Sequence, residues 1–97
     1  MTFRLELHPA AVAEATAVRR WYAERDPDVA DGFIEALDRA IAQIAEAPLR
    51  WPPYVEGTRR LLTRRFPFSI IYRISGDSVL IVAIAHQRQR PGYWSPR

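Results

Sequence analysis

The stretch that decides the fold runs from Arg64 to Trp94 and reads RRFPFSIIYRISGDSVLIVAIAHQRQRPGYW. Two apolar runs, Phe68 to Ile74 and Val79 to Ala85, flank the dipeptide Gly76-Asp77. β-Branched and aromatic residues on both sides of a two-residue Gly-Asp turn predict a β-hairpin. In the first run Phe68, Ile70, Tyr72 and Ile74 share one face of a strand, and Ser69, Ile71 and Arg73 share the other. The second run is apolar at nearly every position, which predicts a central strand covered on both faces. Arginines bracket the hairpin, Arg64 and Arg65 before it and Arg88 and Arg90 after it.

Towards the N terminus, Thr58 to Arg65 reads as a strand whose only aliphatics are Leu61 and Leu62, and Phe66-Pro67 breaks it. Leu49 to Gly57 is proline-rich and reads as loop, with Trp51 and Tyr54 as aromatic anchors against the core. Asp26-Pro27 is a helix start, with Asp as cap and Pro at the first position. The stripe Ala30, Phe33, Ile34, Leu37, Ile41, Ile44 follows the helical period until Pro48 stops it. An earlier helix starts at His8-Pro9 and runs to about Arg25 on the stripe Ala11, Ala15, Val18, Tyr22, with Trp21 widening the stripe and Glu14, Arg19, Arg20 and Glu24 facing away. Trp21, Tyr22 and Phe33 are expected in the core. Thr2 to Leu7 alternates, with Phe3, Leu5 and Leu7 on one side, and reads as a half-buried strand. After Gln87, Pro91-Gly92 is a turn signal that takes the tail off the sheet.

The order is β-α-α-β-β-β. Helices early and strands late predict an α+β domain over residues 1–97, a helical hairpin packed on a mainly antiparallel four-stranded sheet. The 97 residues suit one domain with one core. The absence of cysteine excludes a disulfide framework and a thiolate zinc site, and two isolated histidines, His8 and His86, make no metal cluster. No cofactor is expected. No basic-then-apolar leader follows Met1, and no apolar run approaches the roughly 20 residues of a membrane-spanning helix, so a cytoplasmic location without membrane contact is expected.

The charge is divided. Residues 1–49 hold five arginines and nine acids, −4, and residues 50–97 hold nine arginines and two acids, +7, which together give the net +3. A basic surface of this kind suits a polyanion or an acidic protein partner. All fourteen basic residues are arginine, the better fork for phosphate and carboxylate, although a codon bias towards Arg and Ala accounts for the missing lysine equally well.

The β-α-α-β-β-β order, the segment Arg65-Phe66-Pro67-Phe68-Ser69-Ile70-Ile71-Tyr72-Arg73 and the ending Ala85-His86-Gln87-Arg88-Gln89-Arg90-Pro91-Gly92-Tyr93-Trp94 together resemble the RelE/ParE superfamily of toxins from type II toxin–antitoxin operons. The resemblance covers the whole chain. It implies a ParE-like toxin that inhibits DNA gyrase and is neutralised by a cognate antitoxin, with operator DNA bound only through that antitoxin. The alternative within the superfamily is a RelE-like ribosome-dependent mRNA endoribonuclease, whose partners are the ribosome and mRNA.

RNA cleavage by 2′-hydroxyl attack needs a base, an acid and positive charge around the phosphorane. The candidates are Arg65, Arg73, Arg88 and Arg90 as charges, His86 and Tyr93 as proton carriers, and Glu56 as a base. The resemblance argues against this use. RelE-like members place an arginine directly after the aromatic residue of the third strand, where this chain has Ser69, and lysines on the second strand, where it has none. Arg60 can stand in for one such lysine and Leu62 cannot. The arginine after the fourth strand is kept as Arg88, and the C-terminal tyrosine is matched only loosely by Tyr93 or Trp94.

The expected target-binding surface is therefore Arg88, Arg90, Tyr93 and Trp94, a combination of arginine and aromatics suited to binding hot spots. Arg60, Arg64, Arg65 and Arg88 are expected to meet the carboxylates of the antitoxin. The competing structural readings are a hydrogen-bonded strand end for His86, an ion pair with Glu35 or Asp38 for Arg73, and a solvated strand end for Arg64 and Arg65.

Overall fold

The computed structural model describes residues 3–97. Its elements are β1 (Arg4–Leu7), α1 (Pro9–Ala23), α2 (Pro27–Glu46), β2 (Arg59–Leu62), β3 (Phe68–Ser75) and β4 (Ser78–His86). The sheet order is β1-β4-β3-β2, with β1 parallel to β4 and the other pairs antiparallel. The order of elements and the α+β class agree with the sequence reading.

Both helix starts follow local chemistry. The His8 Nδ1 accepts the Ala10 N–H at 3.0 Å, and Asp26 Oδ1 accepts the Asp28 N–H at 3.0 Å, each just before a first-turn proline. Such caps satisfy amide donors that have no partner within the helix. The hairpin turns at Gly76-Asp77, with Ser75 opposite Ser78. Gly76 has φ +59, and a positive φ at the first central position matches a tight hairpin turn whose twist follows the strands.

The helices pack on one face of the sheet. Phe33, Leu37 and Ile44 of α2 and Ala11 of α1 meet Phe68, Ile70 and Tyr72 of β3 and Val79, Ile81 and Ile84 of β4. The change from odd to even positions along β4 has a structural cause. Ile71 pairs with Ala83 but Tyr72 pairs with Ile81, so Val82 is an extra residue and β4 is bulged there. A bulge reverses which face the following residues occupy. It lets one apolar run fill two cores. On the second face Ile71, Val82, Ala83 and Ala85 are buried with Trp94 from the tail.

Several expectations are corrected. Leu5 and Leu7 are exposed, because β1 is an edge strand and α1 packs chiefly on β4; Phe3 alone of the alternating set reaches the core. Thr2, where that strand was expected to begin, lies outside the described residues. The strand β2 ends at Leu62, so Arg64 and Arg65 belong to the β2–β3 connection. The tail leaves β4 at His86 but folds back over the sheet. Arg73 projects to the face opposite the helices, so Glu35 and Asp38 are out of its reach. Among the described residues the ion pairs are Arg25–Glu24 and Arg97–Glu14. Trp51 and Tyr54 do pin their loop, Trp51 against the helical core and Tyr54 against Trp94.

One buried tether joins the helical layer to the sheet. The Tyr72 hydroxyl donates to the Pro48 carbonyl at 2.6 Å, and the ring is fully buried. Burial raises the phenol above its ordinary pKa, so it stays a donor at neutral pH. Tyr72→Phe keeps the ring and leaves that carbonyl unpaired. The expected cost is about 1–3 kcal/mol in urea unfolding; an unchanged midpoint would show that solvent serves the carbonyl equally well.

Candidate functional site

Two strand registers end together and bring distant arginines to one end of the sheet. Leu62 pairs with Ser69, Phe68 pairs with His86, and the Gln87 N–H donates to the Pro67 carbonyl at 2.8 Å. The connection holding Arg64 and Arg65 and the turn holding Arg88 and Arg90 therefore lie at the same end, and all four side chains are exposed. None is in an ion pair among the described residues.

Arg64 and Arg65 also line a groove of about 510 Å3 between α2 and the edge strand β2. Its floor includes Ala36, Ala40, Trp51 and Leu61, and its walls carry Arg39, Arg50, Glu35 and Gln43. Arg65 lies across α2 at Gly32, where a Cβ would come within 3.0 Å of its guanidinium. The missing side chain at Gly32 is what lets the arginine rest there. Its guanidinium carbon is also 5.1 Å from the Phe66 ring. The combination is a mostly polar, largely cationic groove with apolar patches on its floor, open along the β2 edge beyond the Arg59–Pro53 bridge.

The tail is held from the opposite side. β1 ends at Leu7, so the β4 edge beyond Ile81 has no strand neighbour. Side chains close it. Glu14 Oε1 accepts the Ile84 N–H at 3.1 Å, Arg97 donates to the Val82 carbonyl at 3.1 Å, and Gln89 Oε1 accepts the His86 N–H at 2.7 Å. Glu14 also accepts the Tyr93 hydroxyl at 2.6 Å and both terminal nitrogens of Arg97, at 2.8 and 3.2 Å. The Arg97 pKa rises through its hydrogen bond to Glu14. The Tyr93 pKa is pushed far up, first by burial and then by Glu14. Trp94, 2% exposed, stacks on Tyr54 with centroids 5.8 Å apart, and its indole N–H has no acceptor among the described residues.

The predicted site residues do not form one centre. Arg60 is on the second face, its guanidinium 4.0 Å over the Tyr54 ring. Arg73 is five residues along β3 from the Phe68–His86 pair, roughly 17 Å at strand spacing. The His86 Nδ1 accepts the Arg88 N–H at 3.0 Å, the local hydrogen bond of its structural reading. Tyr93 is engaged with Glu14, and Trp94 is core rather than exposed surface. Arg88 and Arg90 follow the end of β4, so strand alternation does not align them. Glu56 sits in a 3-10 turn with φ +58, its Cγ about 4.0 Å from where a Cβ on Gly92 would lie. Among the described residues no cluster of His, Cys, Asp or Glu is arranged to hold a metal, and no helix is long and apolar enough to cross a membrane.

Two further residues differ from the sequence reading, and a third escapes it. Glu14, assigned to the solvent face, is the hub of the tail contacts, and Arg97 was passed over. No local pattern marks either, because their partners are 70 or more positions away in the chain for Glu14. Trp21 is 53% exposed rather than core. At about 100° per residue it lies to one side of the Ala11–Tyr22 stripe, a signal that was available in the sequence.

The chain is similar to several known proteins. A family model described as the ParE toxin of the type II toxin–antitoxin system parDE matches residues 5–91. Toxin ParE2 of Mycobacterium tuberculosis is 26% identical over 92 residues, covering 94% of this chain and 88% of that protein. A putative toxin, Y4kP, of Sinorhizobium fredii is 37% identical over 70 residues, covering 69% and 73%. Among solved structures, a chain of the chromosomal ParDE system from P. aeruginosa superposes with a TM-score of 0.78 at 22% identity, covering 88% of this chain and 96% of that one. A mutant E. coli RelE superposes with a TM-score of 0.64 at 12% identity, covering 91% and 86%; these two likenesses concern the fold.

The tail contacts make a specific expectation. Glu14→Ala removes the acceptor for Ile84, Tyr93 and Arg97 together, and should cost about 1–3 kcal/mol with faster hydrogen exchange at the Ile84 amide. Because the Tyr93 pKa is raised by folding, its contribution is complete below about pH 10 and is lost as pH rises through the folded value. A clamp that loosens between pH 5 and 8 would contradict this.

Proposed function

The chain belongs to the ParE toxin family of type II toxin–antitoxin systems, and on that premise we propose that it acts by binding DNA gyrase and is silenced by an antitoxin seated in the groove between α2 and β2. The observation that carries the binding reading is the state of the two proton carriers. His86 has its Nδ1 taken by the Arg88 N–H, Tyr93 donates its hydroxyl to Glu14 on α1, and Arg73 lies far along the sheet from Arg65 and Arg88. A phosphoryl-transfer site requires these groups around one phosphate. A binding surface requires exposed cation and apolar area, which the basic end and its neighbouring grooves supply.

The groove suits an acidic amphipathic segment that folds on binding, its apolar side chains on Leu61, Ala36 and Trp51 and its carboxylates on Arg64, Arg65 and Arg50. The edge of β2 offers free backbone groups to an added strand. Operator DNA is then reached through the antitoxin. Arg60 and Arg88, on other surfaces, belong to this contact only if the antitoxin wraps beyond the groove.

Three measurements test the reading. Induction of the chain alone in a bacterial host should leave translation running while DNA synthesis stalls within minutes, and the purified chain should block gyrase supercoiling. Rapid loss of protein synthesis with cut mRNA would instead support the ribosome-dependent ribonuclease. Reversing Arg64 and Arg65 to Glu should weaken the antitoxin complex about tenfold or more at low salt, with a smaller effect at high salt. Equal affinity of the variant would remove the groove from the interface.

A further inference from the structure

A second cleft, of about 380 Å3, lies at the basic end between α1 and the hairpin. Ala17, Val18, Trp21 and Tyr22 form one wall, and Pro67, Phe68 and His86 form the other. The Phe33–Phe66 contact, with ring centroids 5.6 Å apart, and the Arg64–Pro67 connection separate it from the groove beside β2.

Contacts among its own side chains brace the cleft. Arg25 donates to the Trp21 carbonyl at 2.7 Å and lays its guanidinium 3.7 Å over the indole, which fixes both groups. The Trp21 and Tyr22 rings meet edge to face at 5.2 Å, and Phe68 meets His86 in the same way at 5.3 Å. Side chains held in this way lose little freedom on binding. Arginine framing is the second feature. Arg25 packs on the Trp21 wall and Arg88 adjoins the His86 wall, its backbone N–H bonded to that ring, while Arg64 and Arg65 line the groove beside α2. The carboxylates of the α1–α2 turn are already engaged, Glu24 at 3.8 Å from Arg25 and Asp26 as the cap of α2.

We propose that this cleft is a docking site for the toxin's target protein, taking one apolar side chain from an acidic segment of that target. The proposal rests on the reading of the chain as a toxin that acts by binding a protein. Apolar walls favour an aliphatic or aromatic anchor, and the arginine frame selects carboxylates beside it. Trp, Tyr and Arg around a small apolar pocket are the composition of an interface hot spot. The cleft also adjoins Arg88 and Arg90, so the anchor and the basic turn form one continuous surface at the end of the sheet. Polar side-chain groups able to read a base edge are few in this lining, namely His86, the Tyr22 hydroxyl and the Trp21 indole N–H, which makes an apolar protein anchor the better fit.

The test uses the full chain as wild type, Trp21→Ala and Trp21→Phe. Trp21 is exposed, so its truncation should leave the unfolding midpoint nearly unchanged. On induction alone, Trp21→Ala should be about thirtyfold less potent against DNA synthesis, the loss expected of a hot-spot truncation, and Trp21→Phe should retain most of the effect. In parallel, the capped peptide Asp-Glu-Leu-Phe-Glu-Asp is titrated into the purified chain and the indole N–H resonance of Trp21 is followed, identified by its loss in Trp21→Phe. The acidic peptide should shift it, and the peptide with lysine at each acidic position should not. Full potency of Trp21→Ala overturns the proposal. So does a variant that remains toxic but escapes its antitoxin, which would assign the cleft to the antitoxin. A larger shift with an oligothymidylate than with the acidic peptide would replace the protein target with a single strand. Should the wild type itself be inert on induction, the toxin reading fails, and the peptide titration alone decides whether the cleft takes an acidic segment.

Discussion

The burial of β4 on both faces is the constraint from which the rest of the structure follows. A strand in that position needs a cover on each side and a neighbour on each edge. The helical hairpin covers one face, and the tail with Trp94 covers the other. β3 serves one edge along the whole length, while β1 serves the other only as far as Ile81. Beyond that point an unpaired amide and carbonyl would remain, each costly if left without a partner. Glu14 and Arg97 supply those partners and in doing so fasten the last residues to α1. The tail is therefore structural as well as available for function. With the Trp94 N–H lacking an acceptor, its polar anchoring falls on Tyr93 and Arg97.

What the sequence made legible was local. Period, cap and turn signals reveal both α-helices and all four strands, the Gly76-Asp77 hairpin, the central position of β4 and the aromatic anchors Trp51 and Tyr54, but not the short 3-10 turns at Pro48–Arg50 and Val55–Gly57. The shape-defining details that escaped were long-range. A continuous apolar run hides a bulge, because Val82 looks the same whether or not it interrupts the pairing. An edge strand reads as half-buried, because alternation cannot say which strand the helices will cover; Leu5 and Leu7 were misplaced for that reason. The site divided along the same line. Exposed Arg64, Arg65, Arg88 and Arg90 were found by their position beside the hairpin, and register then brought them together. The sequence reading puts Trp94 on the surface and Trp21 in the core, the reverse of their places. An aromatic residue in a tail is sorted by packing that only the assembled fold shows, whereas the offset of Trp21 from the Ala11–Tyr22 stripe is legible in the helical period.

The concentration of positive charge has an energetic consequence. Arg64, Arg65, Arg88 and Arg90 converge without ion pairs among the described residues, so their mutual repulsion opposes folding of the isolated chain. An acidic partner removes that repulsion and buries apolar walls braced by their own contacts. It binds the folded chain and not the unfolded one, so the free energy of the contact adds to stability by mass action. The surface whose charges repel in the isolated chain is thus the one that the proposed acidic partner would grip. The two clefts at its border, one along α2 and β2 and one beside Trp21, set where an apolar anchor can enter. On the proposed reading, charge would draw acidic partners to the whole end of the molecule, and the shape of each cleft would then select among them.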